Sequence, residues 1–323
     1  MYQGVVVLNK EPGFTSFDAV AVCRGIFGQK AVGHTGTLDP MARGVLPICL
    51  GRATKLSDLL TSSEKEYEVE MELGHTTDTD DTTGQVIAEA APEVLEQLTE
   101  VRIREALMHY LGDFLQVPPR FAAIKKDGKK LYEYARAGIE VEMPGRPVSI
   151  YELDILEMDL CGIERRYPLI RFRVRCSKGT YIRSLCRDVG KDLGVGGLMA
   201  SLLRRQTGGF TLEESVTLET LKQAKAEGSL ERYIRPVDQL LRHLPALECL
   251  EEGRKLLQNG NPLSHKLLSA KDPMTESMEL QEDTLYRVYL DGELAALYRY
   301  DASAGKLRNE KMLITDYYKG SKD

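Results

Sequence analysis

The 323-residue sequence contains no tryptophan and no long hydrophobic run. None of its apolar stretches approaches the ~20 residues that a helix needs to cross a bilayer, so we expect no membrane-spanning segment. The first residues, MYQGVVVLNKEPG, lack a basic segment followed by an apolar stretch and a small-residue cleavage site. We therefore expect no secretory signal and a cytoplasmic location.

The six cysteines include no C-x-x-C pair. Their scattered spacing is typical neither of a metal site nor of a disulfide framework. We therefore expect reduced and mostly buried thiols, as in cytoplasmic proteins, at Cys23, Cys49, Cys161, Cys176, Cys186 and Cys249.

Charge is unevenly distributed along the chain. The formal net charge of -6 argues against nucleic-acid binding by bulk charge alone. From Arg165 to Arg187, however, there are eight basic residues and no acidic one, whereas residues 64–105 contain 13 acidic and three basic residues. Either block could be an ordinary solvated surface. Two opposite blocks in one acidic chain instead favour a single cationic face, suited to a polyanion such as RNA.

Two segments alternate between apolar and charged residues, as half-buried strands do. In KEYEVEMELG the inward residues are Tyr67, Val69, Met71 and Leu73, and in YPLIRFRVRC they are Ile170, Phe172, Val174 and Cys176. Strand–helix and strand–strand units are mixed along the chain, which predicts a mixed sheet of α+β type rather than a doubly wound one. From about residue 244, short strands and turns predict a small β-rich C-terminal domain.

Capping residues and apolar spacing predict three helices in the first two thirds of the chain. The first, FDAVAVCRGIFG, follows Thr15 or Ser16 as N-cap and has an apolar face made of Phe17, Val20, Ile26 and Phe27. The second is expected from about Pro92 to Tyr110. The third follows the turn SKGT, with Thr180 as N-cap and Gly194 as C-cap.

Prolines bracket residues 117–147. This segment contains KKDGKK, in which a tight-turn Asp-Gly pair is flanked by four lysines: Lys125, Lys126, Lys129 and Lys130. We expect a basic hairpin with a short helix that projects from the core.

Asp39 is the only carboxylate between Asp18 and Asp58, and it lies in GHTGTLDPMARGVLP. An Asp-Pro pair commonly forms a turn, because the residue before proline avoids helical geometry and aspartate bonds to nearby backbone. Glycines at 33, 36 and 44 also allow a ligand to approach the backbone closely, which favours a catalytic role. The local sequence leaves both interpretations open.

Other motifs match known sites only in part. GHTG resembles part of the phosphate-binding signature of nucleotidyltransferases, but the second histidine of that signature is absent before His75. TDTDDTTG resembles a calcium loop without the glutamate at the twelfth position, so we expect it to bond to its own turns or to anchor basic residues. Five histidines leave a Ser-His-Asp triad open, but no G-x-S-x-G elbow occurs. In SKGTYIRSL, Tyr181 and Arg183 lie at a helix start, where an anion or a base would be met.

Six motifs occur in an order that resembles the TruB-type tRNA pseudouridine synthases: LNKEPGFTS, GHTGTLDPMARGVLPICLGRATK, KEYEVEMELGHTTDTDDTTG, GKKLYEYARAGIEVE, CSKGTYIRSLCRDVG and LLRR. The resemblance covers residues 4 to about 210. It implies isomerisation of uridine 55 in the T-loop of tRNA to pseudouridine, without a cofactor or metal. It also implies a largely antiparallel mixed sheet flanked by helices in a catalytic domain (1–243), an RNA-gripping insertion (117–147) and a PUA-like RNA-binding domain (244–323).

The resemblance further implies roles for individual residues. Asp39 matches the catalytic aspartate, Arg183 its arginine partner and Tyr67 the aromatic residue that stacks on the target base. His34 matches the residue that occupies the stack once the base has flipped out. The other substrate-binding residues implied are Tyr181, the hydrophobic Leu203, Lys10 of the N-terminal motif that packs behind the active loop, and the insertion lysines Lys125, Lys126, Lys129 and Lys130.

Two other classes of function are compatible with parts of the sequence. A non-catalytic RNA-binding protein of the same fold is opposed by the intact Asp39, Tyr67 and Arg183. A nucleotidyltransferase is opposed by the missing second histidine and the large basic face. We expect a monomer that binds the T-arm of tRNA without a protein partner, because no long amphipathic helix lacks an evident partner.

Overall fold

The computed structural model describes residues 1–61, 63–160, 166–272, 275 and 279–314. Cys161 and Arg165 lie outside the described residues. The other five cysteines are free and buried, as the sequence predicts. Within the described ranges, no helix combines the length and the apolar character needed to cross a membrane.

Strands and helices mix along the whole chain. The first half forms β1 (Gly4–Lys10), α1 (Ser16–Phe27), β2 (Val32–His34), β3 (Arg43–Leu50), α2 (Ser57–Thr61), β4 (Lys65–Leu73), β5 (His75–Thr77), β6 (Val86–Glu89), α3 (Pro92–Leu95), α4 (Glu100–Met108), β7 (Gly112–Gln116), β8 (Lys125–Lys126), β9 (Lys129–Lys130) and α5 (Leu131–Arg136). The second half forms β10 (Arg146–Asp159), β11 (Leu169–Cys176), α6 (Ile182–Asp192), β12 (Gly197–Thr207), β13 (Phe210–Thr211), α7 (Leu218–Ala226), α8 (Val237–Leu240), β14 (Ala246–Cys249), α9 (Arg254–Gln258), β15 (Leu263–Ser264), β16 (Leu268–Ala270), β17 (Leu285–Leu290), β18 (Glu293–Asp301) and β19 (Lys306–Met312). Short 3-10 helices occupy Gly51–Leu56, Leu212–Glu214, Leu230–Tyr233, Glu251–Gly253 and His265–Leu267.

A nine-stranded sheet dominates the described part of the first 243 residues. Its order is β1-β3-β12-β4-β11-β10-β7, with β2 on β3 and β13 on β12. Strand β12 pairs parallel with β3, and the remaining pairs are antiparallel. The prediction of a mixed, largely antiparallel α+β sheet is therefore confirmed.

The two alternating strands lie side by side at the centre of this sheet. Val69 of β4 is paired with Phe172 of β11, and both side chains are fully buried. The inward residues predicted for the two strands all belong to one core, to which α1, α4, α6 and α7 contribute apolar side chains. Period-two alternation therefore identified the buried face of both strands correctly.

The C-terminal region is a second sheet, with strand order β15-β19-β18-β17-β14-β16. It has its own apolar core, which includes Tyr286 and Tyr298. A separate cluster containing Leu56, Leu241 and Leu297 joins this sheet to the first part of the chain. The predicted small β-rich unit is confirmed, and it packs directly against the 3-10 helix that follows β3.

Three details of the predicted helices are wrong. The second helix is two helices, α3 and α4, because Thr99 accepts a hydrogen bond from the Arg102 N–H and starts α4 anew. Helix α6 begins after Tyr181, since the Thr180 hydroxyl bonds to the Ser177 carbonyl instead of capping the helix. Helix α1 is capped by Thr15 as expected, but Phe17 is 67% exposed and lies outside the core.

The prediction of a single cationic face is also wrong for the arginines of β11. Arg171, Arg173 and Arg175 stand opposite Glu70, Glu68 and Glu66 of β4. Arginine nitrogens and glutamate oxygens approach within 4.0 Å along a ladder formed by Glu64, Glu66, Glu68, Glu152, Glu157, Glu213, Arg171, Arg173, Arg175 and Arg205. The acidic and basic blocks therefore neutralise each other on one sheet face, which we call the ladder.

Candidate active site

A cleft of about 710 Å³ opens between the centre of the large sheet and residues 117–147. Its floor comes from β4 and β12, and its walls come from the loop around Asp39 and the start of α6. The side chains on which the following argument rests are Asp39, Tyr67, Tyr181, Arg183, Leu202 and Arg204.

The Asp39 loop is fixed from below by two buried side chains. Lys10, 1% exposed, donates its ammonium protons to the carbonyls of Glu11, Phe14 and Pro40. Ser16 exchanges hydrogen bonds with the backbone of Leu38. Burial lowers the pKa of Lys10 to about 8. Lys10 therefore holds the loop from behind, and with 1% of its surface exposed it has almost no surface to offer a substrate.

Asp39 and Arg183 form a two-point ion pair at the wall of the cleft. Arg183 Nη2 donates to Asp39 Oδ1 at 3.1 Å, and Arg183 Nε lies 2.9 Å from Oδ2. The Arg183 side chain is 6% exposed, whereas that of Asp39 is 32% exposed. The backbone carbonyl of Asp39 also accepts the Ala42 N–H, as in a turn. The backbone of the Asp-Pro pair therefore forms the expected turn, while the carboxylate of Asp39 lines the cleft.

Arg183 connects three segments that are far apart in sequence. Its Nη1 donates to the Thr79 carbonyl at 3.1 Å, and its Nη2 donates to the Phe121 carbonyl at 3.0 Å. Asp81 lies 3.9 Å from its Nε. Because several fixed partners surround the guanidinium, its position against Asp39 is set before any ligand arrives.

The acidic loop TDTDDTTG supplies part of this support. Asp81 Oδ1 accepts hydrogen bonds from the Thr79 hydroxyl and from the backbone N–H and hydroxyl of Thr83. Asp80 Oδ2 accepts from Arg187 at 3.2 Å. Both expected roles of this loop, bonding to its own turns and anchoring basic residues, are present.

Two tyrosines face Asp39 across the cleft. Tyr67 is almost completely buried, and burial raises its pKa to about 12, so its hydroxyl keeps its proton at neutral pH. Tyr181 is half-buried, and burial raises its pKa as well. The backbone of Tyr181 is held by Gln116, which accepts from its N–H and donates to its carbonyl. Around Asp39 the cleft therefore places the Arg183 cation and two neutral phenols.

Leu203 does not reach the cleft. It is paired with Glu68 of β4, whose side chain belongs to the ladder, so Leu203 points to the opposite side of the sheet. Its neighbours Leu202 and Arg204 line the cleft instead. Alternation along β12 predicts that Leu203 lies on one face and that Leu202 and Arg204 lie on the other. Which face lines the cleft depends on the pairing of β12 with β4, which is a tertiary contact.

His34 lies beside the cleft at the end of β2 and is half-buried. Its ring meets the Phe17 ring edge-on, with centroids 5.6 Å apart. Burial lowers the pKa of His34, so the ring is mostly uncharged at neutral pH. Phe17 itself lines the cleft, and the helical spacing that assigned it to the core gave no sign of this.

The insertion forms the expected hairpin with a short helix. Asp127 and Gly128 have φ angles of 49° and 84°, the left-handed values that a two-residue hairpin turn of this type requires. Lys125 and Lys129 are exposed, while Lys126 donates to the Glu142 carbonyl. Lys130 lines the cleft and lies over the Tyr132 ring, 5.4 Å from its centroid.

The sequence matches two family models that together span residues 24–242. The family model for TruB family pseudouridylate synthase (N terminal domain) matches residues 24–182, and that for the tRNA pseudouridylate synthase B C-terminal domain matches residues 183–242. The chain belongs to the TruB family. Proteins named tRNA pseudouridine synthase B from Pediococcus pentosaceus and Clostridium perfringens are 38% and 40% identical to it. Those alignments cover 96% and 97% of this chain and 99% of each relative.

Solved structures extend the likeness over nearly the whole fold. The archaeal box H/ACA sRNP Nop10-Cbf5 complex contains a chain with a TM-score of 0.67 and 26% identity, covering 98% of this chain and 88% of that one. A Cbf5-Nop10-Gar1 complex gives a TM-score of 0.66 and 26% identity, covering 96% and 85%. The pseudouridine synthase fold, with a PUA-like C-terminal unit, is therefore that of this TruB family member.

Proposed function

We propose that this chain isomerises uridine 55 in the T-loop of tRNA to pseudouridine, with Asp39 as the catalytic carboxylate. The observation that carries the proposal is the Asp39–Arg183 pair at the wall of a cleft floored by Tyr67, in a chain of the TruB family. Relatives of 38–45% identity bear the name tRNA pseudouridine synthase B, which supports tRNA as the substrate.

The reaction breaks the N1–C1′ bond of the nucleotide and forms a C5–C1′ bond, after which the proton on C5 is lost and N1 gains one. Asp39 can serve it either as a nucleophile at the sugar or as a base that removes a sugar proton. In both routes Arg183 stabilises the negative charge of Asp39 and fixes its direction. Tyr67 supplies a rigid aromatic surface for the base, and Tyr181 and Leu202 close the cleft around it.

A uridine within a folded loop must leave its stack to enter such a cleft, at a cost of a few kcal/mol. We assign His34 to the space that the base vacates, because its largely uncharged ring stands beside the cleft next to an exposed Phe17. The insertion lysines Lys125, Lys126, Lys129 and Lys130 supply attraction for the phosphates of the T-arm.

The division of the chain follows from these roles. Residues 1–243 form the catalytic domain, 117–147 its RNA-gripping insertion, and 244–323 the PUA-like RNA-binding domain. The enzyme acts as a cytoplasmic monomer, on its own residues and without a cofactor, metal or protein partner.

An assay for pseudouridine in an unmodified T-arm stem-loop tests the proposal. Wild-type protein should convert the uridine at position 55, and a stem-loop with cytidine there should remain unmodified. Asp39→Asn, which is nearly isosteric, should lose at least about a thousandfold in turnover while binding the RNA almost as tightly. Binding without conversion by the wild type would make the protein a non-catalytic RNA binder, and multiple turnover by Asp39→Asn would remove Asp39 from the chemistry.

A further inference from the structure

Arg204 is the largest side chain that the described part of the structure buries completely, with 1% of its surface exposed. It stands on β12 directly opposite Tyr67 of β4, and both residues line the cleft. Its sequence neighbour Arg205 points the other way and pairs with Glu68 and Glu213 in the ladder. Two adjacent arginines therefore occupy opposite environments.

The partners of Arg204 within the described residues are uncharged oxygens. Its Nε donates to the Val45 carbonyl at 2.8 Å, and its Nη2 and Nη1 donate to the carbonyls of Gly36 and Thr37 at 3.1 and 3.5 Å. Tyr67 stands directly across the strand pair from it, and each of the two side chains influences the pKa of the other. A buried cation without a contacting anion is costly, and an apolar side chain would pack there at less expense. Such a residue needs a reason other than stability.

The chemistry of the two side chains gives that reason. A guanidinium group carries only donors, whereas a phenol oxygen can both donate and accept. A Tyr67 oxygen that accepts from Arg204 must therefore direct its own proton away from the guanidinium. The open direction is the cleft, in which Asp39 also lies.

We propose that Arg204 is a positioning residue that orients the hydroxyl proton of Tyr67 into the cleft, towards the pyrimidine held beside Asp39. The proposal rests on the proposed function, since it takes the pyrimidine ring of a uridine as its ligand. A phenol dipole held in one direction against the ring can polarise it while the bond to the sugar is exchanged.

The same guanidinium ties Tyr67 to the loop that carries Asp39. Gly36 and Thr37 lie two and three residues before Asp39, and their carbonyls are the acceptors of Nη2 and Nη1. Arg183 holds the Asp39 carboxylate from the other side. Arg183 is therefore the charge partner of Asp39. Arg204 ties the loop that carries Asp39 to the strand position opposite Tyr67.

A double-mutant cycle tests this link. Arg204→Met should lower the single-turnover rate on T-arm RNA by about 10-fold to 100-fold, with the RNA Kd changed by less than about threefold. Arg204→Lys keeps a charge and donors, so it should recover part of the rate. In a Tyr67→Phe background the loss caused by Arg204→Met should be at least about fivefold smaller than in the wild type. Arg205→Met is the matched control and should leave the rate within about twofold.

Losses that multiply fully in the double variant would overturn the proposal, because Arg204 would then act independently of the Tyr67 hydroxyl. A fall confined to RNA affinity would overturn it as well.

A second measurement needs no RNA. In nitrogen-15 NMR spectra of the full chain, the Arg204 guanidinium signal is identified by its loss in Arg204→Lys, and the Arg205 signal by its loss in Arg205→Met. Tyr67→Phe should shift the Arg204 signal and leave the Arg205 signal in place. An unmoved Arg204 signal refutes the contact even if Arg204→Met fails to fold. Wild-type protein that forms no pseudouridine would refute the proposed function, while this signal still decides the contact.

Discussion

The two faces of strands β4 and β12 both carry arginines near carboxylates, but one face lines the cleft and the other is exposed to solvent. On one face, Tyr67 and Arg204 line a cleft beside the Asp39–Arg183 pair. On the other, alternate residues of the same strands contribute to the ladder. Both faces contain arginine–carboxylate pairs, yet the side chain of Arg183 is 6% exposed and that of Arg171 is 42% exposed. Water and salt screen the exposed pairs, so only the buried pair should have a large energetic effect.

The comparison also shows where positive charge is available to RNA. The arginines of β11 belong to a long basic block without an acidic residue, but they form ion pairs with Glu64 and with glutamates of β4 and β10. Of the four lysines of the insertion, two, Lys125 and Lys129, are exposed on the hairpin. Charge density along a chain is therefore a poor guide to the free charge of a surface.

Removing Arg183, the charge partner of Asp39, should have the largest effect on the reaction rate. Arg183→Met leaves Asp39 without its charge partner and Asp81 without a nearby cation, so the single-turnover rate should fall at least about a hundredfold. The same change in the ladder, Arg171→Met, should alter the rate by less than about twofold. Rates measured at saturating enzyme check both. A comparable loss in the two variants would remove the distinction between the faces.

Neutralising the insertion should weaken RNA binding strongly. With Lys125, Lys126, Lys129 and Lys130 all changed to Gln, the slope of log K against log salt should become shallower by about 0.7 to 0.9 for each phosphate that the protein no longer neutralises. Arg171→Met should leave the slope unchanged, since glutamates already neutralise this arginine. Binding titrations at several salt concentrations supply both slopes, and a change in slope for Arg171→Met alone would place the RNA on the ladder.

The buried ammonium of Lys10 should make stability depend on pH. Its pKa is about 8 in the folded protein against 10.5 for a free lysine, so between these values the unfolded chain binds more protons. The contribution of Lys10 to the unfolding free energy therefore rises with pH. From pH 7 to pH 10 the wild type should gain about 2 kcal/mol relative to Lys10→Met, as measured by urea unfolding.

The control for this pH series comes from the ladder. Arginine stays protonated throughout the range, so the stability difference between the wild type and Arg171→Met should be constant from pH 7 to pH 10. A constant difference for Lys10→Met as well would mean that Lys10 carries its full charge in the folded state up to pH 10.

The smallest effect is expected from the ladder itself. Arg173→Met breaks one half-exposed contact with Glu66 and should lower the unfolding free energy by less than about 1 kcal/mol. High salt should reduce that loss further, because it screens exposed charges. A loss of several kcal/mol that persists in about 1 M salt would show that the ladder is as tightly coupled as the cleft.

Local sequence patterns identified much of this molecule. Alternation placed Tyr67 on the buried face of β4, because successive strand residues point to opposite sides. The Asp-Gly pair specified the hairpin of the insertion, because both residues accept left-handed backbone angles. The motif around Asp39 identified the candidate acid, and the pairing with Arg183, 144 residues away, then followed only from the resemblance to a family.

Local sequence patterns therefore specified most of the local elements, the inward side of each central strand and Asp39 as the candidate acid. The tertiary structure decided, through the register of β12 against β4, which residues of the run Leu202, Leu203, Arg204 and Arg205 line the cleft. It also decided that the acidic and basic blocks neutralise each other, since β4 and β11 are about a hundred residues apart in the chain and neighbours in the sheet. Pairing between distant strands depends on contacts that no single segment contains, and for that reason the free charges and the lining of the cleft had to be read from the fold.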